Sequence, residues 1–126
     1  MAESCACDTA PRLIFSCCGS ADVGEIADLA ARKLHKEGLA KMYCLTGIGA
    51  GLSSFIESTK AASRVLAIDG CPIDCAKKLL EKNGFAGFDY VRVTDLGMEK
   101  GKSPVTTQSV ETVVNTCRTL LKGAGA

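Results

Sequence analysis

The sequence predicts an α/β domain: a small three-layer, doubly wound sandwich around a mostly parallel sheet of about four strands. Three observations carry this prediction. Short apolar runs of strand length alternate with amphipathic runs of helix length from residue 12 to residue 122. The connections between the apolar runs are long enough for the crossovers that parallel strands need. Finally, a chain of 126 residues with 47% hydrophobic and 23% charged residues is sized and composed for one core. The expected organisation is a flexible tail over 1–11, a single domain over 12–122, and a loose Gly-Ala tail over 123–126.

The first strand is Arg12-Leu13-Ile14-Phe15-Ser16-Cys17, an apolar run bounded by Pro11 and Gly19. Asp22 and Glu25 then have the spacing of a capping box. Val23, Ile26, Ala27, Ala30 and Leu34 follow at helical period, with Arg32, Lys33 and Lys36 at the end where the macrodipole favours cations. Gly38 ends that helix. Lys41 to Leu45 reads as a second strand, followed by the glycine-bearing stretch Gly47-Ile48-Gly49-Ala50-Gly51 and a short helix over about 52–58 that buries Leu52, Phe55 and Ile56. Arg64 to Asp69 is the clearest strand. Gly70-Cys71-Pro72 turns it into a helix, with Cys71 as N-cap and Pro72 at the first helical position; Ile73, Ala76, Leu79 and Leu80 form its inner face. The alternation of Asp89 to Thr94 predicts a fourth strand near an edge. A final amphipathic helix carries Val110, Val113, Val114, Cys117, Leu120 and Leu121.

Composition narrows the function. Fifteen basic residues nearly balance fourteen acidic ones, with no basic stripe or aromatic platform, so nucleic acid is a poor partner. No apolar run reaches the ~20 residues of a membrane span, and Met1 to Pro11 lacks the pattern of a secretory signal. A cytoplasmic location is therefore expected. The abnormal number is eight cysteines beside a single histidine and no tryptophan. Disulfide-dense scaffolds are loop-rich and short of core. This sequence is neither, so its thiols are expected to be core fillers, metal ligands or redox groups.

In a doubly wound sheet the site forms at the carboxyl ends of the strands. Cys17 follows strand one, Cys44 lies near the end of strand two and Cys71 follows strand three. Cys75 lies one helical turn beyond Cys71, where β-carbons are about 5–6 Å apart. Those four thiols can converge on one ion, and a tetrathiolate set selects zinc or an iron–sulfur cluster over hard cations. A closed four-sulfur zinc site is structural or sensory and activates no water. A thiol-based redox, persulfide or metal-transfer protein using the same cysteines is the alternative from another class, and an iron–sulfur protein the third.

The segment Asp69-Gly70-Cys71-Pro72, followed by Cys75-Ala76-Lys77-Lys78, resembles the signature of the DGC-domain family. The likeness extends in order to Ser16-Cys17-Cys18-Gly19-Ser20 with Val23-Gly24-Glu25, to Cys44-Leu45-Thr46-Gly47-Ile48-Gly49, and to Thr94-Asp95-Leu96-Gly97 with Lys100. It implies a small α/β domain whose four recurring cysteines hold zinc, here Cys17, Cys44, Cys71 and Cys75. It implies a site without an activity. This chain departs from the family's frequent Cys-Ser-Gly by having Cys17-Cys18-Gly19, so Cys18 is the alternative first ligand. Strand alternation points neighbours to opposite sides and favours Cys17.

The remaining groups carry less. Asp69 is placed to accept from backbone amides or to orient a ligand. Asp95, Lys100 and Lys102 can line a rim on the cysteine side. Cys117 falls on a core face; Cys5 and Cys7 belong to the tail, as an inert pair or a soft-metal handle. His35 lies in a charged helix end. Neither Cys17 nor Cys18 has an arginine six residues on, Gly47-x-Gly49-x-Gly51 is not a dinucleotide fingerprint, and no phosphate-binding Gly-x-x-x-x-Gly-Lys-Ser/Thr or Cys-x-x-Cys pair occurs.

Overall fold

The computed structural model describes residues 10–124. Four strands, β1 (Arg12–Ser16), β2 (Lys41–Met42), β3 (Arg64–Asp69) and β4 (Asp89–Arg92), form one sheet in the order β2-β1-β3-β4. Every pairing is parallel. The helices are α1 (Asp22–Lys36), α2 (Leu45–Gly49), α3 (Ser53–Lys60), α4 (Cys75–Lys82) and α5 (Thr107–Ala124).

The alternation along β1 and β3 builds the layers. Ile14, Leu66 and Ile68 point to one face and bury against Val23, Ile26, Ala27, Ala30 and Leu34 of α1 and Val113, Val114, Cys117 and Leu121 of α5. Leu13, Phe15 and Ala67 point to the other, against Ile48 of α2 and Ala76 and Leu80 of α4. Phe15 stands opposite Ala67 in the ladder, a large side chain beside a small one. Both faces are covered, so β1 and β3 read as nearly continuous apolar runs.

Several local expectations are corrected. Helix α1 begins at Asp22 after Ala21, with no side-chain cap. The Asp22 carboxylate instead accepts from the amides of Gly101 (2.9 Å) and Ser103 (3.1 Å), as well as its neighbour Val23, and ties down the loop after β4. Strand β2 stops after two residues, although the Tyr43 amide still donates to the Ile14 carbonyl. The glycine stretch after it folds as helix α2, because Ile48 buries and Gly47 lies flat against the Phe55 ring; a β-carbon there would sit 2.6 Å from that ring. Leu52, expected inside, is half exposed, and Thr59 is the buried residue of α3. Helix α4 starts at Cys75 rather than Pro72. Strand β4 yields at Val93 to a 3₁₀ turn that runs to Leu96.

Candidate functional site

The strand order reverses between β1 and β3, the place where an open parallel sheet leaves a crevice. A cavity of about 160 Å³ opens there. Its lining comes from the loop after β1 (Cys17, Cys18, Ser20), the start of α1 (Ala21, Val23, Gly24), the loop after β3 (Gly70, Cys71, Ile73), then Cys75 and Lys100.

Two glycines make its floor. A β-carbon on Gly70 would stand 2.7 Å from the Gly24 nitrogen and the Val23 carbonyl carbon, and one on Gly24 would stand 2.6 Å from the Cys18 carbonyl oxygen. Two backbones therefore pass in direct contact, which only residues without side chains permit. The Cys17 amide donates to the Ile68 carbonyl, and the Gly70 amide donates to the Cys17 sulfur at 3.3 Å. The loops after β1 and β3 are thus laced together before any ligand is considered.

Asp69 completes the base. It is 1% exposed, and its carboxylate accepts from the amides of Ala76 (2.8 Å) and Lys77 (3.0 Å) and from the Tyr90 hydroxyl. Those amides belong to the first turn of α4, so Asp69 caps the helix from the end of the neighbouring strand. The residue in the N-cap position, Asp74, makes no side-chain cap and lies in the left-handed region (φ 59°, ψ 46°). Its carboxylate is gripped by the Arg92 guanidinium at 2.8 and 2.7 Å and by the Tyr90 hydroxyl at 2.6 Å. Arg92 holds the Asp74 carboxyl down at about 2, with Tyr90 adding to it.

Of the expected ligands, Cys17, Cys71 and Cys75 share this cavity, and so does Cys18. Strand β1 ends at Ser16, one residue before the pair, so strand alternation does not separate Cys17 from Cys18. Cys44 is outside the lining: the strand that was expected to carry it to the site ends at Met42, and Cys44 sits exposed at the cap of α2. Cys71 is not an N-cap but lies in a turn whose carbonyl accepts from the Asp74 amide. The six described cysteines are free thiols. Burial pushes the Cys17 thiol up to about 11, against the lowering effect of the Gly70 amide and with help from the charge of Asp69 and the neighbouring Cys75 and Cys71. Cys117 is buried, and its thiol is raised by desolvation alone. Cys5 and Cys7 lie outside the described residues. His35 is exposed and its Nδ1 accepts from the Met42 amide.

The donor set suits a soft cation, but the described thiols are not preformed as a cage. Among the described residues no three histidine, cysteine, aspartate or glutamate side chains stand arranged to hold a metal ion. The residues that sequence reasoning missed are Asp74, Tyr90 and Arg92. Tyr90 and Arg92 fall on one face of an alternating strand, a signal for shared surroundings that named no partner.

The DGC domain's family model matches residues 13–117. The chain belongs to the DGC-domain family. The DGC signature has a physical meaning in this fold: the aspartate caps α4, the glycine lets two backbones touch, and the cysteine faces the cavity. A curated relative from Pseudomonas aeruginosa, "Anaerobic and virulence modulator AnvM", is 28% identical over 88 residues, covering 70% of this chain and 67% of its own. No solved structure matches the chain significantly. No helix among the described residues is long and apolar enough to cross a membrane.

Proposed function

We propose that this DGC domain is a regulatory module that binds zinc on the thiols of the cavity between β1 and β3. The observation behind the reading is that Cys17, Cys18, Cys71 and Cys75, drawn from two loops and a helix start, line one cavity of about 160 Å³. Cys17, Cys71 and Cys75 would hold the ion. Cys18 is the further thiol on the cavity and Cys44 the one indicated by family register. A bound soft cation would neutralise thiolates and cross-link the loops after β1 and β3. With four sulfur ligands it leaves no position for water, so its role is sensory or structural rather than catalytic. The name of the Pseudomonas relative, a modulator, agrees with a regulatory role. Free thiols in this number fit a reducing, cytoplasmic setting.

The test is elemental analysis of purified protein with thiol counting before and after a chelator. One zinc per chain, with at least three thiols protected until the chelator is added, is expected. A folded, metal-free protein whose stability zinc leaves unchanged refutes the reading. Cys18→Ser and Cys44→Ser, compared for zinc affinity, identify the fourth ligand. A second reading, a thiol redox or persulfide carrier, draws on the absence of a preformed ligand cluster among the described residues. It predicts rapid alkylation without chelator. A visible absorption band in anaerobically purified protein would point instead to iron–sulfur.

A further inference from the structure

The geometry points to Arg92, acting through Asp74, as a clamp that sets the position of Cys71 relative to Cys75 and so tunes the thiol cavity for a soft cation. The inference rests on the zinc reading for its ligand but not for the clamp itself. Asp74 is the one non-glycine residue with positive φ among the described residues. It closes the segment that starts at Cys71 and immediately precedes Cys75, so both cavity thiols hang on its conformation. A left-handed conformation is unfavourable for a residue with a β-carbon, and aspartate adopts it where its carboxylate is held by hydrogen bonds.

Helix capping does not account for that conformation. Asp74 makes no side-chain cap, and the first-turn amides of Ala76 and Lys77 donate to Asp69 instead. What holds Asp74 is the two-pronged grip of Arg92, Nε on one carboxylate oxygen and Nη2 on the other, with Tyr90 on the first. Arg92 stands at the end of β4, and its Nη1 donates to the Asp95 carboxylate in the 3₁₀ turn that follows. The Gly70 end is tied as well, its carbonyl accepting from the Thr94 amide at 3.2 Å. The Cys71-bearing turn is therefore pinned at both ends to residues of, or just after, β4. A bidentate guanidinium–carboxylate pair fixes orientation as well as distance, which a lysine cannot do.

The experiment uses the full chain and three variants, Arg92→Ala, Arg92→Lys and Asp74→Gly. Residue-resolved alkylation by iodoacetamide is followed by mass spectrometry in the presence of chelator, and zinc affinity is measured by competition with a chromophoric chelator. Asp74→Gly keeps a residue content with the left-handed turn but removes the carboxylate, separating the clamp from the turn. Expected is a rise of about tenfold in the Cys71 alkylation rate in Arg92→Ala and Asp74→Gly, smaller in Arg92→Lys, with Cys44 and buried Cys117 unchanged. Zinc affinity falls by about tenfold in parallel. Should Arg92→Ala expose Cys117 by unfolding, Asp74→Gly and Arg92→Lys decide. Wild-type Cys71 rates and zinc affinity in folded Asp74→Gly and Arg92→Lys overturn the clamp. A wild-type chain that binds no zinc overturns the zinc reading, and the alkylation rates alone then judge the clamp.

Discussion

Replacing Asp69 by asparagine isolates the capping role of the strand-three carboxylate at almost constant volume. Two amides, of Ala76 and Lys77, donate to this 1% exposed group, and the Tyr90 hydroxyl stands 3.1 Å from it with its single proton shared with the closer Asp74. An asparagine has one acceptor oxygen and turns an NH₂ toward donors that the second carboxylate oxygen had served. At least one helix amide then loses a charge-assisted bond, and the survivors weaken to neutral strength. Hydrogen bonds to charged groups contribute about 1.5–3 kcal/mol each, so a net loss of about 2–3 kcal/mol is expected. For a chain of this length, about 4 °C of melting temperature corresponds to each kcal/mol, so Tm should fall by about 8–12 °C. Thermal unfolding followed by circular dichroism measures it. A fall of less than about 2 °C would show that the carboxylate does not hold α4, and that the first turn is satisfied some other way.

Other outcomes follow from the same site and from its scaffold. Gly70→Ala drives a β-carbon into backbone atoms of Val23 and Gly24 that cannot rotate away; a loss of about 2–3 kcal/mol, read from the urea midpoint, is expected. Cys71→Ser should cut zinc affinity at least about tenfold, far more than Cys5→Ser or Cys117→Ser, because a serine is not ionised as a soft ligand at neutral pH; equal affinity in chelator competition would remove Cys71 from the site. Arg118 bonds both Glu37 and Glu111, and the two carboxyls are held below their ordinary value of 4.5, Glu37 chiefly by Arg118 and Glu111 by Lys33 and then Arg118. Such a contribution is fully present above pH 4.5 and is lost as pH falls through the lowered folded values. Arg118→Met should therefore be less stable than wild type at neutral pH and converge with it in acid, as denaturant titrations at a series of pH values would reveal.

The layers of the fold were legible because β1 and β3 are buried on both faces, and such strands announce themselves as short apolar runs with clear boundaries. Arg64 to Asp69 forms a strand over the very residues expected. Legibility failed where tertiary contacts decide. Nothing local distinguishes a glycine-rich loop from helix α2, whose formation depends on the Phe55 ring lying against Gly47. Pro72 gave a persuasive helix start, yet the backbone delays α4 to Cys75 because Asp74 is turned toward Arg92, eighteen residues away. The same delay removed Cys71 from the cap. At the site, strand order placed Cys17 and Cys71 together, whereas Cys75 was expected one helical turn beyond Cys71 and instead lines the cavity as the first residue of α4. Cys44 lies outside that lining, since the end of a two-residue edge strand depends on how soon the chain leaves its neighbour.

The brevity of β2 bears on how the molecule keeps to itself. A parallel sheet that ends in a long bare strand is a template for further strands, from a second molecule or from a misfolded copy. Among the described residues, one border of the sheet offers Lys41 and Met42 alone, and the other the four residues of β4, which carry Asp89 and Arg92. Short, charged borders give an incoming strand little to zip onto. The sheet's carboxyl end is different: there the surface is made of loops, and of the thiols they carry.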